Sequence, residues 1–298
     1  MTPDGIALAL DLGGTKAAVA RVAPDGVVLA RGEVPTGPTG DPWPAIADLL
    51  RSTAAGDEVV CGVGAAGPLT RDRSCVSPLN APPWLDFPLR ARVAEATGLP
   101  AFVDIDTKAL ALGEGRFGAA RGVDDFIAMV VSTGVGGGIV SRGALLEGAT
   151  GNAGHVGHVV VEPDGEPCSC GGRGCVETVA AGPRMAQWAR KNGWDAPAGA
   201  DAKELADAAN AGDPVALQAF RRGATAVAAM IASVSAVCDL DLVVVGGGVA
   251  KSGALLFDPL REALSTYARL EFLRGLRVLP AELGSDAGLV GAAALLDA

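Results

Sequence analysis

The sequence predicts an α/β protein of two lobes, and three observations carry that expectation. The chain is 298 residues long, which at about 150 residues per domain makes room for two cores. Short apolar runs alternate with segments of helical spacing along its length, the pattern of an α/β fold. Glycine turns follow apolar runs at 11–16 and again at 132–138, which suggests two lobes of similar build with a ligand between them.

The elements follow in order. Residues 6–10 are an apolar run closed by Asp11 and two glycines, and 17–22 resume it before Pro24-Asp25-Gly26, so a β-hairpin opens the chain. Residues 27–31 read as a third strand and 35–44, rich in Pro, Gly and Thr, as a loop. A helix is expected over 45–51, then a buried strand over 59–63 closed by the turn from Gly64 to Pro68. The next helix spans 89–97 with Gly98 as its cap, and a strand over 101–105 runs into Asp106. Ala109, Leu110, Leu112 and Phe117 then fall at helical spacing behind Asp106, which reads as the N-cap. A strand over 126–131 feeds the turn of 132–138, and a strand over 242–245 feeds a third glycine turn, Gly246 to Gly248. Helices are expected over 183–191, 202–211, 214–237, 255–270 and 287–296, with a last strand over 276–279. The lobes are accordingly drawn as 1–105 with 287–298 for the smaller and 106–286 for the larger.

Composition excludes several classes. With 49% hydrophobic and 19% charged residues, the chain lies outside the disordered range. Twenty-four basic against 34 acidic side chains leave a net charge of −10, which offers no footprint for nucleic acid or an anionic membrane. Neither a long uncharged apolar run nor a signal peptide is legible, so a cytoplasmic protein is expected. The cysteines stand at 61, 75, 168, 170, 175 and 238, three of them within eight residues, which is poor spacing for a disulfide framework and good spacing for a metal.

The most specific motif is His155-Val-Gly-His158, nine residues, Cys168-Ser-Cys170, four residues, Cys175. Three thiolates and one imidazole form a closed tetrahedral shell, the pattern of structural Zn²⁺ with no open position for water. On spacing alone, either histidine completes the set. The turn Asp11-Leu-Gly-Gly-Thr-Lys16 lets backbone N–H groups approach an anion. No glycine turn here has the P-loop or dinucleotide pattern, so a P-loop enzyme or a dehydrogenase is disfavoured. Asp106, at a strand-to-helix junction, is held ionised by N-terminal amides and suits a base for phosphoryl transfer.

Taken together, Asp11 to Lys16, the Asp106 helix with Gly113-Glu-Gly-Arg-Phe-Gly118, Ser132-Thr-Gly-Val-Gly-Gly-Gly138, Gly157-His158, Cys168 through Glu177 and Gly246-Gly-Gly248 resemble the ROK family (repressor, open reading frame, kinase), nearest its zinc-containing glucokinase-type branch. The resemblance implies the two-lobed, actin-like ATPase (ribonuclease H-like) fold with the active site in the cleft between lobes. It implies that Asp11, Gly13, Gly14, Thr15, Lys16, Thr133, Gly134 and Gly136 hold the ATP phosphates, with Mg²⁺ bridging them, and that Gly246, Gly247 and Gly248 lie under the adenosine. Asp106 matches the catalytic base, and Asn80, His158 and Glu177 match sugar contacts. His158 doubles as the zinc ligand with Cys168, Cys170 and Cys175, and a homodimer is implied.

Two substrate-binding positions, which face the sugar ring in the family, depart from its pattern: Ile105 stands where the family has Asn before the catalytic Asp, and His155 where it has Glu before the zinc His. The expected reaction is ATP-dependent phosphorylation of the 6-hydroxyl of a hexose. The departures open the sugar's identity to glucose or a glucose-like amino sugar, such as 3-amino-3-deoxyglucose (kanosamine) or an N-acetylhexosamine. The alternatives are a sugar-binding pseudokinase and a family regulator without its DNA-binding domain; the ten residues before Asp11 and the net charge of −10 count against the regulator.

Overall fold

The structure is a computed structural model that describes residues 5–36, 41–78, 84–197 and 199–295. Its strands are β1 (Ile6–Leu12), β2 (Lys16–Val22), β3 (Val28–Pro35), β4 (Glu58–Ala65), β5 (Ala101–Ile105), β6 (Phe126–Val131), β7 (Val135–Ser141), β8 (Ala144–Leu145), β9 (Leu242–Gly246) and β10 (Arg277–Pro280). Its helices are α1 (Trp43–Thr53), α2 (Leu89–Thr97), α3 (Asp106–Phe117), α4 (Val176–Ala180), α5 (Gly182–Lys191), α6 (Ala202–Asn210), α7 (Pro214–Cys238), α8 (Ala254–Tyr267) and α9 (Ala287–Ala293).

Two compact units result. The first comprises Met1–Asp124, Gly138–Gly154 and Glu282–Ala298, the second Asp125–Gly137 and His155–Ala281. The division differs from the boundary drawn on sequence, since α3 and the loop of 147–154 group with the first unit. The reason is steric: a Cβ on Gly113 of α3 would lie 2.8 Å from the Ala287 carbonyl oxygen, so α3 seats directly on α9.

In the first unit the sheet order is β3-β2-β1-β4-β5. Hairpins make β1, β2 and β3 antiparallel neighbours, while β4 and β5 run parallel to β1 because α1 and α2 serve as crossovers. Along β1, leucine and alanine alternate. Leu8, Leu10 and Leu12 face a cluster with Ile46 and Leu50 of α1 and Leu89 and Val93 of α2. Ala7 and Ala9 turn to the other face, where Ala109 of α3 and Leu289 and Ala292 of α9 complete a second core. The small residues are required there: a Cβ on Gly62 would lie 1.9 Å from the Ala292 carbonyl oxygen, and one on Gly291 1.6 Å from that of Ala109. Gly62→Ala is therefore expected to lower stability by about 3 kcal/mol, the upper range for overpacking, read as a fall in the midpoint of thermal unfolding.

The second sheet has the order β10-β9-β6-β7-β8, with β6, β9 and β10 parallel. In the second unit the long α7 is started by Asp213, whose carboxylate accepts the N–H groups of Val215 at 2.9 Å and Ala216 at 2.8 Å. Pro214 takes the first helical position, where no donor is needed. Among the described residues no helix is long and apolar enough to cross a membrane.

Three local expectations are corrected. Asp106 is the first residue of α3, with Ile105 in extended backbone as the N-cap. Only Ser132 to Gly134 form a turn; Gly136, Gly137 and Gly138 lie within β7, where a Cβ on Gly138 would fall 2.4 Å from the Thr107 carbonyl oxygen. The short helix α4 was hidden by the cysteine-rich segment before it.

Candidate active site

In the first unit the β1–β2 turn is closed by the Gly13 N–H donating to the Lys16 carbonyl at 3.0 Å. Gly14, Thr15 and Lys16 are exposed in it, and Lys16 Nζ donates to Glu33 at 3.1 Å. Asp11 precedes the turn with its carboxylate against Gly288, where a Cβ would come within 2.6 Å of Oδ2. Burial, then repulsion from the Asp106 carboxylate, pushes Asp11 up to about 7, against the pull of Lys16 and Arg31. Asp106 is partly buried, and its Oδ1 accepts the Thr107 N–H at 2.7 Å, so the helix N-terminus fixes the carboxylate. Two acids that repel each other beside a glycine turn with a lysine are a donor set suited to a hard cation carrying phosphates.

The sign of the Asp11 effect is testable. The folded state holds this proton more tightly than the unfolded chain, which titrates near 3.8, so stability falls as pH rises between about 4 and about 7. Asp11→Asn is expected to be more stable than wild type at pH 8 by up to about 4 kcal/mol, with the gap closed below pH 4. Paired denaturant titrations across that range read it directly.

Ile105 is 4% exposed and belongs to the apolar cluster on the leucine face of the sheet. Asn80 lies outside the described residues.

In the second unit three segments converge. The Ser132–Gly134 turn is closed by the Ser132 N–H on the Gly134 carbonyl at 2.9 Å, and the Ser132 carbonyl accepts the Gly182 N–H at 2.8 Å. Thr133 is left exposed at its tip. Gly246 ends β9, and Gly247 turns at φ +95°, where a Cβ would sit 2.5 Å from the Val131 carbonyl oxygen. Gly248 follows beside the Ser132 hydroxyl, 3.3 Å from where its Cβ would be. Glu177, in the first turn of α4, accepts the Val135 N–H at 2.9 Å. The turn Val156–His158 presses on β7, since a Cβ on Gly157 would lie 1.9 Å from the Val135 carbonyl oxygen. Glu177, His158 and the glycine turn are therefore one assembly.

Beside it His158, Cys168, Cys170 and Cys175 place one ligand atom each within 4.8 Å of one another. His158 contributes Nδ1, 3.6 Å from Cys168 Sγ, while Cys170 and Cys175 sulfurs are 3.8 Å apart. Burial and then the crowding of Cys168 and Cys170 push the Cys175 thiol up, which is the repulsion a bound cation relieves. The donor chemistry fits zinc. His155 stands outside the cluster, its ring 6.3 Å from that of His158.

Sequence reasoning missed Gly288 and a set of charged residues around Lys108. Lys108 is fully buried, and its only signal was a lysine inside an apolar helical pattern.

Two sheets with helices and glycine turns of this construction are the actin-like ATPase fold of the solved ROK sugar kinases. The chain matches the ROK family over residues 7–298. It is 36% identical to a glucokinase of Thermotoga maritima, over 97% of this chain and 96% of that one. It is 37% identical to an N-acetylmannosamine kinase of Escherichia fergusonii, over 97% of each. A solved ROK-family glucokinase from Streptomyces griseus, in complex with glucose and AMPPNP, superposes with a TM-score of 0.88 at 36% identity, covering 98% of this chain and 99% of the other. The chain belongs to the ROK family. Within it the protein falls among the sugar kinases and transfers a phosphoryl group to an alcohol acceptor.

Proposed function

We propose that the protein transfers the γ-phosphoryl group of ATP to the 6-hydroxyl of a hexose, with Asp106 as the base. The observation that carries this reading is the placement of Asp106, anchored through Oδ1 to the Thr107 N–H in the same unit as the Asp11 turn. Asp106 takes the proton of the attacking hydroxyl as the phosphoryl group moves. The β1–β2 turn and the Ser132–Gly134 turn, with Thr15, Lys16 and Thr133, orient the phosphates, while Gly246 to Gly248 support the adenosine. Bound Mg²⁺ supplies charge neutralisation between the phosphates. Glu177 and His158 hold ring hydroxyls, and zinc on His158, Cys168, Cys170 and Cys175 keeps that loop in shape. A homodimer belongs to the same reading, and light scattering measures it.

His155 favours a second reading for the sugar. An imidazole where the family has a carboxylate removes a fixed charge and offers one donor and one acceptor, which suits a hexose with an altered substituent, such as an amino or acetamido group. Comparing kcat/KM for glucose, mannose and their 2-amino, 3-amino and N-acetylamino forms in wild type and His155→Glu tests both. A wild type that prefers glucose at least tenfold, with no gain for glucose in the variant, removes the second reading. No turnover of any hexose removes the first.

A further inference from the structure

Lys108 follows Asp106 by two positions on α3 and is fully buried. Its ammonium donates to Glu147 Oε2 at 2.6 Å and to the Gly151 carbonyl at 2.8 Å, and lies 3.5 Å from Asp104 Oδ1. Arg73 closes the figure, pairing with Asp104 Oδ2 at 3.2 Å and with the same Glu147 oxygen. Two basic and two acidic side chains thus close a ring within the first unit, where burial pushes the Asp104 carboxyl up against the pull of Lys108 and Arg73. A second tie joins the same segments: Asn152 accepts the Leu69 N–H and donates to the Leu69 carbonyl, each at 2.9 Å.

The ring is an expensive way to fill space. Buried ion pairs contribute little net stability, and an apolar residue of similar volume does as well or better. Arg73 also adopts φ +56°, a left-handed backbone that a non-glycine residue holds only when its surroundings insist. What such a network does supply is a single geometry. Here that geometry concerns Asp106, because ring members stand two residues before and two residues after it. Positions two apart on a helix point about 200° away from each other, so Lys108 grips α3 from the side opposite the Asp106 carboxylate. The other end of the ring holds the loop of 147–152, which runs along the chain into His155 and His158.

We propose that Lys108, with Asp104, Arg73 and Glu147, is a positioning device for the reaction, fixing the base and the 147–152 loop in one arrangement; this rests on the reading of Asp106 as the base. Lys108→Met, Glu147→Gln, the double variant and Asp106→Asn are compared with wild type. The readouts are kcat, KM for the hexose and for ATP, thermal midpoint, and amide exchange over 147–152. Lys108→Met is expected to lower kcat at least tenfold and raise the hexose KM several-fold, with the ATP KM within twofold and exchange over 147–152 accelerated. The double variant, which leaves no unpaired charge at the pair, is expected to regain most of the lost thermal midpoint while kcat stays low. Wild-type kinetics in Lys108→Met, recovery of kcat together with the midpoint, or an equal rise in both KM values overturns the proposal. If Lys108→Met does not fold, Glu147→Gln, on a side chain 37% exposed, carries the same comparison. Should Asp106→Asn turn over like wild type, the base assignment fails by itself. The ring is then judged on the hexose KM and on exchange over 147–152, and no change in either overturns it.

Discussion

Asp106→Asn is expected to turn over at least about a hundredfold more slowly than wild type at saturating hexose and ATP, the scale of a lost general base. The amide keeps the shape of the side chain and one oxygen to accept the Thr107 N–H, a bond of 2.7 Å in the wild type, so α3 keeps its start. What disappears is the oxygen that takes a proton. KM for either substrate changes little, because the loss falls on the transition state. A second signature accompanies it: repulsion from Asp106 is one cause of the raised Asp11 titration, so in the variant Asp11 titrates lower, which carboxyl NMR resolves. Turnover at the wild-type rate removes Asp106 from the mechanism.

The other large effect concerns the metal loop. Protein purified without chelator is expected to carry one zinc per chain. Cys175→Ser, or removal of the ion by a strong chelator, lowers kcat/KM for the hexose by about ten- to a hundredfold, the range for disturbed metal environments. The lever is short. Cys175 is the N-cap of α4, two residues from Glu177, and the same cluster includes His158; losing the ion would free both groups that the proposed function sets against the sugar. Proteolysis within 159–174 should accelerate in parallel. Full activity in demonstrably zinc-free protein refutes it.

Much of this was legible in the sequence, for physical reasons. The alternation of β1, the junction at Asp106 and the spacing of the cysteines are local patterns, written in neighbouring residues. The choice between His155 and His158 was open on spacing and is drawn by the fold, which sets the Val156–His158 turn on β7 through Gly157. The extent of β7 was hidden because Gly137 and Gly138 read as turn formers, whereas here they make room for Ile127 and for the start of α3. The Lys108 ring could not be read at all: Arg73, Asp104 and Glu147 are dispersed along the chain, and only the assembled unit makes them neighbours. Ile105, read in the sequence for its missing polar group, lies in the apolar cluster of the leucine face.

The seam between Gly62 and Ala292, and between Gly291 and Ala109, has an entropic consequence. Alanine and glycine have no rotamers to freeze, so docking α9 there costs almost no side-chain entropy. The leucine face of the same sheet, by contrast, immobilises many side chains. Per contact, the leucine face therefore carries the larger side-chain entropy cost, while the seam trades it for the backbone freedom its glycines give up. The helix that begins at Asp106 joins this seam through Ala109, so the carboxylate stands on a helix held close by backbone rather than by long side chains.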